Sequence, residues 1–197
     1  MVELRKRKAP TQPSISERKG KRVHPSVGSS QSPTPKVGNV LKTGPFDNFP
    51  KVGDVIHSDG FGGEFETNDG NKTTLKNLIN ASDNGIVIFT YPRASTPGCT
   101  KQAGLFRDHY DSFTKLGLSV YGLSADSPKT NTTFKSKQML PFPLLCNPSY
   151  TLIEAFGLKK LPKGTIRGVF ALDKTARVLL LQAGGPDATV KAALAMD

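Results

Sequence analysis

Cysteine is scarce in this sequence. The 197 residues contain two cysteines, Cys99 and Cys146, too few for the disulfide framework of a small secreted domain. No Cys-x-x-Cys pair or Cys/His cluster predicts a structural zinc site. Low cysteine use is typical of proteins in reducing compartments. The sequence therefore predicts such a compartment for this chain.

Long hydrophobic runs are also missing. The longest apolar stretches, residues 86–89 and 178–181, fall far short of the roughly 20 residues that a membrane-spanning helix needs. The first eight residues are rich in Lys and Arg, and no apolar segment follows them. We therefore expect no secretory signal peptide and no membrane partner, and we expect a soluble protein.

Positive charge is present in excess but is unevenly distributed. The chain has 27 Lys and Arg residues against 16 Asp and Glu residues, a net charge of +11. Residues 1–45 hold ten basic and two acidic residues, a net +8, and the other 152 residues, with 17 basic and 14 acidic, carry +3. The first 45 residues also contain six prolines, six serines and no aromatic residue. This composition predicts a disordered basic arm at residues 1–45 and one folded domain at residues 46–197.

The arm contains two basic clusters, residues 5–8 and 18–22. Their spacing of about ten residues resembles a bipartite nuclear-import signal. Two other hypotheses stay open: a solubilising tail, and weak non-specific contact with nucleic acid. We therefore expect the protein in the nucleus, with the cytoplasm as an additional location and the import machinery as a partner.

Apolar runs and amphipathic stretches alternate in residues 46–197, which predicts an α/β domain whose sheet is largely covered. Residues 85–91 form a short, β-branched and nearly continuous apolar run, which predicts a strand buried on both faces. A helix is predicted next, because Cys99, Ala103, Phe106, Tyr110 and Phe113 follow one another at steps of three or four. Further strands are predicted at residues 119–124, 143–146, 165–172 and 177–182, and further helices at 127–138, 151–156 and 187–196.

Cys99 is either a packed hydrophobic residue or a nucleophile. It falls in the first turn of the predicted helix, after Pro97 and Gly98, where unpaired backbone N–H groups and the positive end of the helix dipole favour a thiolate. Thr96 can cap the helix, or offer its hydroxyl to the thiolate and to a bound oxygen substrate. Pro92 ends the strand and can shield one wall of a pocket.

Residues 91–100, Tyr-Pro-Arg-Ala-Ser-Thr-Pro-Gly-Cys-Thr, resemble the Pro-x-x-x-Thr-x-x-Cys active-site signature of the peroxiredoxins. The sequence is most similar to the bacterioferritin-comigratory, or peroxiredoxin Q, group and to fungal nuclear thiol peroxidases. Shorter matches extend the resemblance over about 145 residues, and they lie at positions 52–54, 106–108, 122–127, 140–145 and 166–167.

This resemblance implies a thioredoxin-like fold, with a central mixed sheet flanked by helices. It also implies a thiol-dependent peroxidase that reduces hydrogen peroxide or alkyl hydroperoxides, serves antioxidant defence in the nucleus, and needs no cofactor or metal. In that family the residue at Cys99 attacks the peroxide and becomes a sulfenic acid. Thr96 would hydrogen-bond the substrate, Arg167 would steady the thiolate and the transition state, and Pro92 completes the motif.

One departure from the family pattern concerns the second thiol. Many members of this group carry a resolving cysteine five residues after the peroxidatic one, where this chain has Gly104. Cys146 remains as a candidate resolving cysteine. The alternative is a one-cysteine enzyme reduced by an external thiol from thioredoxin, glutaredoxin or glutathione. The resemblance also implies a monomer.

The same residues are compatible with other functions. A nuclear binding or redox-sensing protein would use the basic arm for contacts and Cys99 as an oxidation switch. A Cys/His hydrolase would need His57 or His109 as a base, but ten helical residues turn His109 about 280° away from Cys99. We expect surface or structural salt bridges for Arg93 and Arg107.

Overall fold

The computed structural model describes residues 49–196, which fold into a seven-stranded mixed sheet covered by helices. The predicted arm, residues 1–45, and its two basic clusters lie outside the described residues. The strands and helices, in chain order, are β1 (Glu64–Thr67), β2 (Lys72–Thr74), α1 (Leu75–Ala81), β3 (Gly85–Thr90), α2 (Pro97–Asp108), α3 (Tyr110–Lys115), β4 (Leu118–Ser124), α4 (Pro128–Gln138), β5 (Leu144–Cys146), α5 (Thr151–Ala155), β6 (Gly168–Asp173), β7 (Val178–Ala183) and α6 (Pro186–Leu194).

Strand β3 lies at the heart of the sheet, whose order is β2-β1-β5-β4-β3-β6-β7. It pairs in parallel with β4 and antiparallel with β6. All six of its residues are buried, which explains why its sequence is apolar throughout instead of alternating. The predicted strand buried on both faces is therefore confirmed.

The core lies on both faces of the sheet, because successive side chains of a strand point to opposite faces. Ile86 and Ile88 pack on one face, in a cluster that includes residues of α1 and α5. Val87 and Phe89 pack on the other face with residues of α2, α4 and α6. There the rings of Phe89 and Phe106 stack with centroids 4.4 Å apart. This second face carries the thiol of Cys99.

The strands and helices predicted from residue 85 onward are all present, with small differences at their ends. The predicted helix through Phe113 is divided into α2 and α3 at His109, whose φ of −105° and ψ of 12° are not helical. The predicted strand at 165–172 begins instead at Gly168. Residues 49–84 carried no predicted elements, yet they form β1, β2 and α1. None of the helices in residues 49–196 is long and apolar enough to cross a membrane.

Gly85 is a position where the fold tolerates no side chain. Its φ is +149°, and an added Cβ would lie 2.2 Å from the carbonyl oxygen of Leu172 on β6. We expect Gly85→Ala to lower the free energy of unfolding by about 2–4 kcal/mol through overpacking and backbone strain. Urea unfolding followed by circular dichroism measures this change.

Gly104 provides the matched control. It lies within α2, and its added Cβ would meet only the Arg107 guanidinium, at 3.8 Å. Gly104→Ala should therefore raise the free energy of unfolding by up to about 1 kcal/mol, because alanine is the better helix former. Equal effects of the two substitutions would contradict the close approach at Gly85.

Candidate active site

Cys99 lies in the first turn of α2, directly after the loop that follows the central strand. Pro97 occupies the start of the helix, where its missing N–H costs nothing and its fixed φ suits the helix. Cys99 is 1% exposed and contributes to the same apolar cluster as Ala94 and Ala103. The thiol is therefore a nearly buried group at the positive end of a helix dipole.

The guanidinium of Arg167 contacts this thiol directly. Its Nη2 lies 3.3 Å from Cys99 Sγ. Its Nη1 donates to the carbonyl oxygen of Gly98 at 3.2 Å and to Gln102 Oε1 at 2.6 Å. A permanently charged, planar donor is therefore held beside the sulfur, where it can hydrogen-bond negative charge.

The sheet explains how Arg167 reaches a residue 68 positions earlier in the chain. Strand β6 pairs antiparallel with β3, and Gly168 lies opposite Thr90 in this register. Thr90 Oγ1 also donates to the carbonyl oxygen of Ile166, at 2.8 Å. Arg167 is thereby held between two anchored neighbours, beside the loop that leads to Cys99.

Gln102 is a site residue that the sequence analysis did not identify. Its side chain is fully buried, and its Nε2 donates to Thr189 Oγ1 of α6 at 3.1 Å while its Oε1 accepts from Arg167. Gln102 thus orients the guanidinium toward the sulfur. A sequence signal existed, because a glutamine three residues after Cys99 is a polar residue on the face of the helix that carries the thiol.

Thr96 and Pro92 lie at the two ends of the loop between β3 and α2. Thr96 is the N-cap residue of α2, but its side chain makes no capping hydrogen bond. Its Oγ1 donates to the carbonyl oxygen of Arg93 at 3.0 Å instead, so Thr96 occupies the predicted N-cap position without capping the helix through its side chain. Pro92 is exposed at the start of the loop. Between them, Ser95 adopts a left-handed conformation with φ of +63°.

Cys146 occupies the last position of β5. Both cysteines are free thiols. Asn131 Nδ2 donates to Cys146 Sγ at 3.2 Å. Burial raises the pKa of the Cys146 thiol, and the hydrogen bond from Asn131 opposes that effect only in part. At neutral pH Cys146 is therefore protonated and weakly nucleophilic.

The remaining charged candidates lie apart from the sulfur. Arg107 forms a salt bridge with Asp108 at 2.8 Å and donates to the carbonyl oxygen of Gln138, so its expected structural role is confirmed. His57 and His109 are exposed, and within residues 49–196 neither hydrogen-bonds a cysteine. In the same range, no three His, Cys, Asp or Glu side chains are grouped closely enough to hold a metal ion.

Comparison with known proteins gives a consistent family. The family model described as AhpC/TSA matches residues 61–180. Peroxiredoxin bcp1 of Schizosaccharomyces pombe is 41% identical over 114 residues, which is 58% of this chain and 55% of that protein.

Solved structures agree with the sequence matches. Peroxidoxin BcpB from Mycobacterium tuberculosis has a TM-score of 0.66 and 32% identity over 74% of this chain and 95% of its own. Structures of a bacterioferritin comigratory protein and of peroxiredoxin Q from Xanthomonas campestris have TM-scores of 0.62 and 29% identity, over 68% of this chain and 89% of theirs.

These matches confirm the expected thioredoxin-like fold and place the Thr96, Cys99 and Arg167 positions inside the matched region. The chain therefore belongs to the AhpC/TSA family, as a thiol-dependent peroxidase of the Bcp and peroxiredoxin Q kind.

Proposed function

We propose that this chain reduces hydrogen peroxide or alkyl hydroperoxides with Cys99 as the peroxidatic thiol. The observation that carries the proposal is the 3.3 Å contact between Arg167 Nη2 and Cys99 Sγ in the first turn of α2. The Xanthomonas campestris bacterioferritin comigratory protein, whose alkyl peroxide reduction activity has been studied structurally, supports the same substrate class.

The first chemical step moves one oxygen atom onto the sulfur. The Cys99 thiolate attacks the terminal oxygen of the hydroperoxide, an S–O bond forms, and the O–O bond breaks. Its electron pair goes to the departing oxygen, which takes up a proton and leaves as water or an alcohol. Arg167 donors stabilise the charge that develops on these atoms, and the Thr96 hydroxyl at the end of the loop hydrogen-bonds the substrate. Pro92, exposed at the opposite end of the same loop, would form one wall of the peroxide pocket.

The sulfenic acid is returned to the thiol by an external reductant. One thiol attacks the Cys99 sulfur, releases water and leaves a mixed disulfide, and a second thiol then displaces the Cys99 thiolate. The burial, raised pKa and Asn131 hydrogen bond of Cys146 support this one-cysteine route over an internal disulfide. Thioredoxin, glutaredoxin and glutathione are the reductants we propose to test, on a monomeric enzyme.

We further propose that residues 1–45 direct the enzyme to the nucleus through the import machinery. The net charge of +8 in this segment and its two basic clusters support the proposal. The second candidate function, a nuclear binding or redox-sensing protein, is favoured by the same charge, because clustered lysines and arginines also attract phosphate. Peroxide reduction requires Cys99, whereas binding of nucleic acid by the basic segment does not.

The role of Arg167 is tested by Arg167→Met, which keeps the bulk of the side chain but removes its charge and donors. We expect the second-order rate constant for oxidation of Cys99 by peroxide to fall about 100- to 1,000-fold. Stopped-flow measurement with reduced protein gives this constant. Arg107→Met is the control, since that guanidinium contacts Asp108 and Gln138, and its rate constant should stay near that of the wild type.

The one-cysteine route is tested by the mass of the protein after one equivalent of peroxide. We expect one added oxygen on Cys99, trapped by dimedone, and no loss of two hydrogens. Cys146→Ser should keep steady-state turnover with thioredoxin, whereas Cys99→Ser should abolish it. A disulfide joining residues 99 and 146, or loss of turnover in Cys146→Ser, would show that Cys146 resolves the sulfenic acid.

The arm is tested by deleting residues 1–45 from a fluorescent fusion of the chain. We expect redistribution from the nucleus to the whole cell and an unchanged rate of peroxide reduction. A variant that neutralises Lys36 and Lys42 leaves both clusters intact and is the control. The alternative function gains support if Cys99→Ser keeps the full peroxide rate while the deletion abolishes salt-sensitive DNA binding.

A further inference from the structure

The loop between β3 and α2 has little to hold it in place. It must support Ser95 in a left-handed conformation, which is unfavourable for a residue with a side chain. Thr96 Oγ1 donates within the loop, to the carbonyl oxygen of Arg93. Among the described residues, one side chain outside the loop hydrogen-bonds residues 92–96: Asp126 Oδ2 accepts from the backbone N–H of Ala94 at 2.8 Å.

The carboxylate of Asp126 is itself fixed by its neighbour at the end of β4. Ser124 Oγ donates to Asp126 Oδ2 at 3.0 Å and accepts from the backbone N–H of Asp126 at 3.2 Å. Ser124 is fully buried, so bulk water does not compete for its hydroxyl group. The same carboxylate oxygen therefore receives both the Ser124 hydroxyl and the Ala94 N–H.

Behind Ser124, Asn131 of α4 hydrogen-bonds the same hydroxyl group. Tyr91 Oη donates to Asn131 Oδ1 at 2.9 Å, and burial raises the pKa of the Tyr91 hydroxyl far above its usual value, so this group remains a donor. The Asn131 amide must then direct its Nδ2 toward Ser124 Oγ, at 3.3 Å, and toward Cys146 Sγ. The Ser124 hydrogen has two acceptors within reach, Asp126 Oδ2 at 3.0 Å and Asn131 Oδ1 at 3.5 Å. The shorter distance favours Asp126, and Ser124 Oγ accepts in turn from Asn131 Nδ2.

These bonds form a directed chain from the core to the loop. Tyr91 donates to Asn131, Asn131 donates to Ser124, and Ser124 donates to Asp126. This hydrogen-bond network joins the ends of β3 and β4 to α4. It reaches the loop through the bond from the Ala94 N–H to Asp126, and Ala94 lies two residues before Thr96 and five before Cys99. A buried network in which each member is satisfied holds a unique geometry.

We propose that Asp126 is a positioning residue for peroxide reduction, acting through the Ala94 N–H on the loop that carries Thr96 and leads to Cys99. The inference rests on the proposed function of Cys99. Within residues 49–196, Asp126 makes no hydrogen bond to the Cys99 sulfur, whereas Arg167 does. Its effect therefore falls on the placement of the peroxide and not on the charge of the thiolate.

The test separates two reactions of the same sulfur. In Asp126→Ala the loop loses its outside anchor, and we expect the rate constant for oxidation by hydrogen peroxide to fall about 10- to 100-fold, as misplacement by about 1 Å can cause. Alkylation by iodoacetamide at the same pH should not slow, because it needs no oriented O–O bond and Arg167 and the N-terminus of α2 are unchanged. Both rates are measured by stopped flow and by mass spectrometry on the full chain.

Two further variants keep the test sharp if Asp126→Ala folds poorly. Asp126→Asn retains an oxygen that accepts from Ala94 and Ser124, so its peroxide rate should recover to within about threefold of the wild type. Ser124→Ala removes one donor to the carboxylate and should give an intermediate loss. Asp59→Ala, which removes an exposed carboxylate paired with Lys76, is the control and should change neither rate.

The outcomes distinguish this inference from the function on which it rests. An unchanged peroxide rate in Asp126→Ala, a proportional fall in both reactions, or an Asn variant as slow as the Ala variant would overturn the positioning role and leave the peroxidase intact. Failure of wild-type Cys99 to react with peroxide would overturn both. A selective loss in Ala with recovery in Asn supports the proposal.

Discussion

A guanidinium 3.3 Å from a nearly buried sulfur has to be held against the flexibility of its own long side chain. The fold does this from three sides: the register of β6 against β3 fixes the backbone of Arg167, Gly98 accepts one of its N–H groups, and Gln102 accepts another. Because the side chain of Arg167 is already ordered by these contacts, its charge can interact with the sulfur without a further loss of conformational entropy.

The site is consequently divided between two kinds of support. Arg167, Gln102 and the N-terminus of α2 act on the charge of the sulfur, and they are tied to β6 and α6. The loop from Pro92 to Thr96, which we propose positions the substrate, is tied through Asp126 to β4 and α4. The thiol and the loop are thus held by different parts of the sheet, which meet at the carboxyl end of β3.

The central strand and helix could be predicted from the sequence, whereas the roles of the polar residues around the site could not. Strand β3 and the helix at Cys99 follow from local patterns, since a continuous apolar run and a spacing of three and four residues are visible in one window. Elements β1, β2 and α1 are three to seven residues long and have too few positions to show a period. Asp126, Asn131 and Gln102 gained their roles from partners 32 to 87 residues away, distances that no local pattern spans.

The bond between Gln102 and Thr189 joins residues 87 positions apart, and this separation has a consequence for biosynthesis. When Cys99 and α2 leave the ribosome, neither Arg167 nor α6 has been made. The set of contacts that orients the guanidinium is complete once α6 has emerged and Thr189 has bonded Gln102. A nascent chain therefore carries an ordinary cysteine, and the thiol acquires its peroxidase environment as one of the last events of folding.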